Sequence, residues 1–169
     1  MEIVNFFESL AGKWFSQRTT HYLSSQSSKA GQSNLLIEFL PHTDASLQQI
    51  CEQLGQDPSR IACGLKVNQD SRMDGDTNNT KSSTLMVAMH PDDSGKGVLM
   101  QSAANRSPAK GEYMVENEVL SIVTQTSEGV IEERLWFVNS NLRMRTSVFK
   151  TDDEVQMASF CSEIRMGLS

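Results

Sequence analysis

The chain has 169 residues, one domain's length and enough to bury a sizeable core. Its net charge is −6 (15 Lys+Arg against 21 Asp+Glu) with no long basic run, which argues against a nucleic-acid partner. A hydrophobic fraction of 38 % and a mean hydropathy of −0.38 lie below usual globular values and predict polar loops and a partly polar interior.

No stretch approaches the ~20 apolar residues of a membrane span. The opening Met-Glu-Ile-Val-Asn-Phe-Phe has no basic region or long apolar run, so we expect no signal peptide and a soluble protein in a reducing compartment. Cys51, Cys63 and Cys161 are odd in number and irregular in spacing, which argues against a disulfide framework and a zinc site. His21, His42 and His90 lie far apart, so no metal site is expected.

In chain order, residues 3–10 predict a short helix with Ile3, Phe6, Phe7 and Leu10 on one side, ended by Gly12. Residues 14–23 read as a long strand, 24–31 as a Ser/Gln/Gly loop, and 34–40 as a second strand stopped by Pro41. Asp44 caps an expected helix over 45–54, with Leu47, Ile50, Cys51 and Leu54 at helical spacing and Gly55 as the stop. A strand over 61–67 precedes a polar tract, 68–83, read as a loop. Further strands follow over 84–89, 98–103, 111–115, 119–124, 130–138, 142–150 and 155–165.

About ten strands with short turns predict an all-β, antiparallel, calycin- or lipocalin-like barrel as a single domain over residues 1–169, with one N-terminal and one inserted helix. Gly12-Lys13-Trp14 fits the element with which such barrels plug one end. Asp70 to Asp76 invites a calcium-loop reading, but Arg72 and Lys81 stand where ligands are needed.

The most informative stretch is 133–147, two strands joined at Asn139-Ser140-Asn141. Arg143, Arg145 and Ser147 share one face; Leu142, Met144, Thr146 and Val148 share the other. Two guanidiniums and a hydroxyl in a row suit the carboxylates of an anionic ligand, but parity alone favours an exposed outer face for them. Glu133 shares its face with Ile131, Leu135 and Phe137, where a carboxylate is costly without a partner or a task. Glu163 shares a face with Met157, Ser159 and Cys161. Arg18 and His21 differ in parity, so a regular strand sends them to opposite faces. No nucleophile elbow, P-loop or dinucleotide fingerprint is present.

Phe6-Phe7, the run from Ser9 to His21, Glu133-Arg134-Leu135-Trp136-Phe137, Asn141 to Ser147 and Ser159-Phe160-Cys161-Ser162-Glu163 resemble, in order, the motifs of the S-type phycobiliprotein (bilin) lyases. The resemblance covers nearly the whole chain. It implies a calycin-like barrel that binds a linear tetrapyrrole, phycoerythrobilin or phycocyanobilin, without a covalent bond. It implies transfer of that bilin to a cysteine of an apo-phycobiliprotein subunit as a thioether.

The resemblance makes Glu133 the acidic catalytic group at the bilin. It places Arg18, His21, Met73, Trp136, Arg143, Arg145, Ser147 and Glu163 around the chromophore. The bilin is then substrate, with no cofactor and no metal. The partner is the acceptor subunit, with a homodimer or a second lyase subunit left open, in a cyanobacterial cytosol or plastid stroma. Residues 67–76 lack the tryptophans common in that family, although Met73 and Asp76 keep register. A non-catalytic bilin carrier, or a lipocalin-like binder of another anionic ligand, are the alternatives.

Overall fold

The computed structural model describes residues 1–104 and 106–167. Its elements are α1 (Ile3–Leu10), β1 (Gly12–Tyr22), β2 (Ser27–Pro41), α2 (Ala45–Gln53), a 3-10 turn (Pro58–Arg60), β3 (Ile61–Met73), β4 (Thr80–Met89), β5 (Lys96–Ala103), β6 (Ala109–Glu116), β7 (Val119–Gln125), β8 (Val130–Asn139), β9 (Leu142–Thr151) and β10 (Glu154–Met166). Each strand pairs antiparallel with its sequence neighbours, and β1 pairs with β10 to close the barrel. Closure satisfies the ladder groups that an open sheet would leave at its edges.

Ile3, Phe6, Phe7 and Leu10 all point from α1 into one end of the barrel and are buried. No side chain caps its N-terminus, so packing rather than local sequence holds this two-turn helix in place. The plug meets Trp14, Leu35, Leu65, Leu99, Tyr113 and Leu120 from the strands. The indole Nε1 of Trp14 donates to Leu10 O at 2.9 Å.

Asp44 accepts from Ser46 N at 2.9 Å and starts α2, as expected. That helix lies on the outer wall, with Leu47, Ile50 and Cys51 over Val87, Met89 and Met100. A Cβ on Gly64 would stand 2.5 Å from Leu47 Cδ2 and 2.6 Å from Met86 O, so only glycine lets the helix close onto β3.

Two stretches read as loops are strands. β2 begins at Ser27, inside the expected 24–31 loop, and β3 and β4 run through most of the polar 68–83 tract. Their inward residues near the open end are Gln69, Ser71 and Thr84, so the wall is polar on both faces and the alternation that announces a strand is missing. No helix among the described residues is long and apolar enough to cross a membrane.

Candidate functional site

Because α1 fills one end, the space inside the barrel opens toward the ends of β1, β3 and β9. Register sets what lines it. One inward row of cross-strand neighbours runs Phe137, Arg143, Glu163, Ser16, Ser33, Ser71 across β8, β9, β10, β1, β2 and β3. The next, toward the mouth, runs Leu135, Arg145, Cys161, Arg18, Gly31, Met73. A third holds Glu133, Ser147, Ser159 and Thr20, whose two hydroxyls (Thr20 and Ser159) lie 2.9 Å apart. The structure therefore turns Arg143, Arg145 and Ser147 inward, against what parity alone favours. Leu142, Met144 and Val148 take the outer face.

The deepest polar group is an ion-pair cluster. Arg143 Nε donates to Glu163 Oε1 at 2.9 Å, and Arg145 Nη2 lies 3.6 Å from Glu163 Oε2. Solvent reaches 3 % of the Arg143 side chain and none of Glu163. Burial works to raise the Glu163 carboxyl, but Arg145, Arg143 and the hydroxyl of Ser16 outweigh it and hold the carboxyl below its ordinary value. Burial pulls the Arg143 guanidinium down to about 10 in spite of Glu163. Burial also works against the charge of Arg145, yet Glu163 and Glu133 beside it raise that guanidinium above its usual value.

The guanidiniums of Arg143 and Arg165 each lie 4.3 Å from the Trp14 ring centroid, so the indole carries two cations. Arg165 also donates to Ala11 O, Ser9 O and Ser140 O at 2.7, 2.9 and 3.2 Å, which closes the lower end. Arg165 was not singled out from sequence; its register opposite Trp14 is the signal that finds it.

Glu133 is set apart from that cluster. Among the described residues it makes no salt bridge, and burial raises its carboxyl above the ordinary carboxylate value, opposed by Arg145 and Arg18. The barrel thus holds two carboxylates pushed in opposite directions, Glu133 upward by burial and Glu163 downward by its guanidiniums. Arg143 Nη1 and Glu163 Oε2 are buried with no hydrogen-bond partner. An orphaned guanidinium donor in a cavity fits an anionic acceptor supplied from outside.

The interior cavity is about 160 Å³ and is lined by Glu133, Arg143, Arg145 and Glu163 together with Gln69, Thr84, Gln101 and apolar side chains of β2, β3 and β7. Gln69, whose Nε2 donates to Ser33 Oγ at 3.2 Å, was hidden from sequence reasoning in the tract read as a loop.

Two of the expected chromophore contacts lie elsewhere. His21 is exposed on the outer face of β1, as its parity against Arg18 requires. Trp136 is on the outer face of β8, between Val119 and Met144. Met73 is inside at the mouth, where a Cβ on the facing Gly31 would stand 2.5 Å from its Sδ. Among the described residues no group of three or more His, Cys, Asp or Glu is placed to hold a metal ion, and the three cysteines are free and buried.

This chain is similar over its length to proteins of one kind. It is 38 % identical over 173 residues to a chromophore lyase CpcS/CpeS of Thermosynechococcus vestitus, covering 100 % of this chain and 95 % of that one. It is 33 % identical over 170 residues to a phycocyanobilin lyase subunit CpcS of Picosynechococcus, covering 97 % and 86 %. Among solved structures, an S-type phycobiliprotein lyase from Guillardia theta superposes with a TM-score of 0.87 at 28 % identity, covering 100 % of this chain and 95 % of that one. The model of the CpeS-like protein family matches residues 2–166, and the chain belongs to that family.

Proposed function

We propose that this protein is a chromophore lyase that takes up a linear tetrapyrrole without a covalent bond and presents it to a cysteine of an apo-phycobiliprotein subunit. The observation that carries the reading is Glu133. It is a half-buried carboxyl, raised above its ordinary value by desolvation, beside the guanidiniums of Arg145 and Arg18, in a barrel whose full-length relatives are named lyases. A bilin has two propionates that suit Arg18, Arg145 and the free Nη1 of Arg143, and pyrrole nitrogens that suit a carboxyl.

The reaction is an addition. The acceptor's thiolate forms one S–C bond at the ring-A ethylidene, electron density moves into the conjugated system, and the thiol's proton ends on the tetrapyrrole. Glu133, by protonating the tetrapyrrole or by stabilising its protonated form, makes it more electrophilic. Glu163 serves differently: spent on Arg143 and Arg145, it fixes their forks where the propionates arrive.

The cavity of about 160 Å³ is below the ~300–1,000 Å³ of typical ligand pockets, so a bilin sits partly in the mouth or moves side chains there. Met73, an unbranched thioether at that mouth, suits such movement. The absence of tryptophan from 67–76 keeps a second reading, a bilin carrier without transfer activity. The cyanobacterial relatives support a cytosolic or stromal setting.

The test mixes purified protein with phycoerythrobilin or phycocyanobilin and an apo-phycobiliprotein subunit, then follows fluorescence and acid-stable, zinc-stained colour on the denatured subunit. Covalent colour above a protein-free control is the expected result and names the bilin. A shifted bilin spectrum without covalent gain leaves the carrier. No spectral change with either bilin overturns both.

A further inference from the structure

Charge is distributed unevenly inside the barrel. Arg18, Glu133, Arg143, Arg145 and Glu163 all stand on four adjoining strands, β8, β9, β10 and β1. Among the described residues, the inward positions of the other six strands, from Gly31 on β2 to Thr124 on β7, hold no charged side chain. Where this neutral wall borders the interior cavity, its polar groups are half-buried Gln69, Thr84 and Gln101. Two primary amides in a wall that is otherwise mostly apolar are costly unless something bonds them.

We propose that Gln69 and Gln101 bond the lactam of ring D, the outer ring remote from the point of attachment, and so set which end of the tetrapyrrole enters the barrel first. This rests on the lyase reading above. The first argument is chemical. A linear tetrapyrrole carries its propionates on the two inner rings and a lactam on each outer ring. A lactam presents one N–H donor and one carbonyl acceptor side by side, and a primary amide offers the complementary pair. Gln69 spends one amide hydrogen on Ser33 Oγ at 3.2 Å, which leaves its other hydrogen and its carbonyl oxygen. The charged wall suits the propionates and the neutral wall an uncharged end, so the two walls sort the groups of one ligand.

Size is the second argument. The cavity is about 160 Å³. A cavity of ~150 Å³ accepts one benzene-sized ring, so one ring of the four enters, end-on. Phe7 and Leu10 of α1 close the cavity on one side. Gln69 shares a cross-strand row with Leu35 and Trp14, whose indole bonds Leu10 O, so this amide stands near that plug.

Direction is the third. Only the outer rings carry lactams, and the acceptor's thiol must reach ring A. That thiol belongs to a separate subunit outside the barrel, so ring A stays at the mouth and ring D is left for the amides. Glu133, in the row toward the mouth, then lies between the held end and the reacting one.

The test is spectral titration of wild type, Gln69→Met and Gln101→Met with phycocyanobilin, phycoerythrobilin and their propionate dimethyl esters. The rate of acid-stable colour on an apo-phycobiliprotein subunit is then measured from saturated complexes. Each variant is expected to bind both free bilins about tenfold more weakly, the loss of one buried hydrogen-bonded pair. The preference for free acid over ester, which the guanidiniums set, is expected to stay. The rate from saturated complexes is expected to change less than about twofold, because the reacting carbon lies at the other end. The infrared band of the bound lactam carbonyl is expected at higher frequency in the variants. A Gln69→Met protein that melts like wild type and binds both bilins as tightly overturns the proposal. Gln101→Met, on another strand, decides it in the same way if Gln69→Met does not fold. Loss of the acid-over-ester preference overturns it, as the whole site has then collapsed. So does a rate from saturated complexes that falls with the affinity, because ring A is then the ring held. A wild type that shifts neither bilin's spectrum overturns the lyase reading together with this inference; the variant outcomes overturn this inference alone.

Discussion

Arg143 and Glu163 face each other across β9 and β10, joined by a 2.9 Å hydrogen bond that solvent does not reach. Removing one partner strands a buried charge. Glu163→Gln is therefore expected to destabilise the fold by about 3–5 kcal/mol, read as a lowered urea midpoint. The sign with pH follows from a depressed carboxyl. Its contribution is complete above the unfolded value of about 4.3 and is lost as pH falls through the folded one. The variant and wild type should converge in stability toward pH 3; a gap that stays constant would contradict the assignment.

Glu133 predicts a separation of transfer from binding. Glu133→Gln keeps size and hydrogen-bonding capacity but cannot give or take the proton. The rate of acid-stable colour formation is expected to fall about 100-fold, within the usual range for a general acid or base, with bilin affinity changed less than fivefold. Weakened affinity with normal transfer from saturated complexes would remove Glu133 from the chemistry.

The same residue has a stability signature opposite to that of Glu163. A raised carboxyl favours the folded state fully below its unfolded value, and that contribution is lost as pH rises through the folded value. Glu133→Gln should therefore gain on wild type in urea midpoint between pH 4 and pH 8. Loss of midpoint at pH 8 would mean that the carboxylate is stabilised by Arg145 and Arg18 more than burial disfavours it.

Arg165 ties β10 to the carbonyls of Ser9 and Ala11 beneath Trp14. Arg165→Met keeps much of the stem and loses these bonds and the cation over the indole. A loss of about 3 kcal/mol is expected, with a red-shifted Trp fluorescence as water reaches the lower end.

Gly31→Ala tests the mouth. The new Cβ would meet Met73 Sδ, the far end of a flexible side chain, and press less easily on Arg72 O at 3.1 Å. Met73 should swing toward the cavity. Bilin affinity is expected to drop about tenfold by spectral titration, with thermal stability lowered by about 1 kcal/mol or less. Unchanged affinity would place the ligand away from this wall.

Much of this was legible in the sequence. The barrel, both helices and the turn at Asn139-Ser140-Asn141 follow from hydrophobic spacing, a cap and turn residues, and Asn139 Oδ1 does accept from Asn141 N at 2.9 Å. What failed was facing and strand length where the wall is polar inside. Gln69 and Ser71 point into the barrel as polar residues do on an exposed strand, so pattern could not tell inside from outside. For the same reason parity alone made Arg143 and Arg145 look like surface residues; the family resemblance put them in the pocket, and register with Glu163 and Cys161 turns them inward. His21 and Trp136 show the reverse error. A motif places residues together in sequence, but the two-residue period of a strand puts neighbours on opposite faces.

The pairing of β1 with β10 bears on how the protein is made. Arg18 meets Cys161, and Ser16 stands opposite Glu163, so the polar floor exists only once the two ends of the chain have found each other. A nascent chain holds both halves of the cluster only after Glu163 has emerged. Contacts this distant along the sequence place folding in the slower class of small β-proteins, on the order of milliseconds to seconds. Until that last pairing forms, β10 lacks one neighbour and β1 the other, and the exposed Phe160, Ile164 and Met166 of β10 lie along an unpaired strand edge. Those moments are when this chain is most exposed to aggregation.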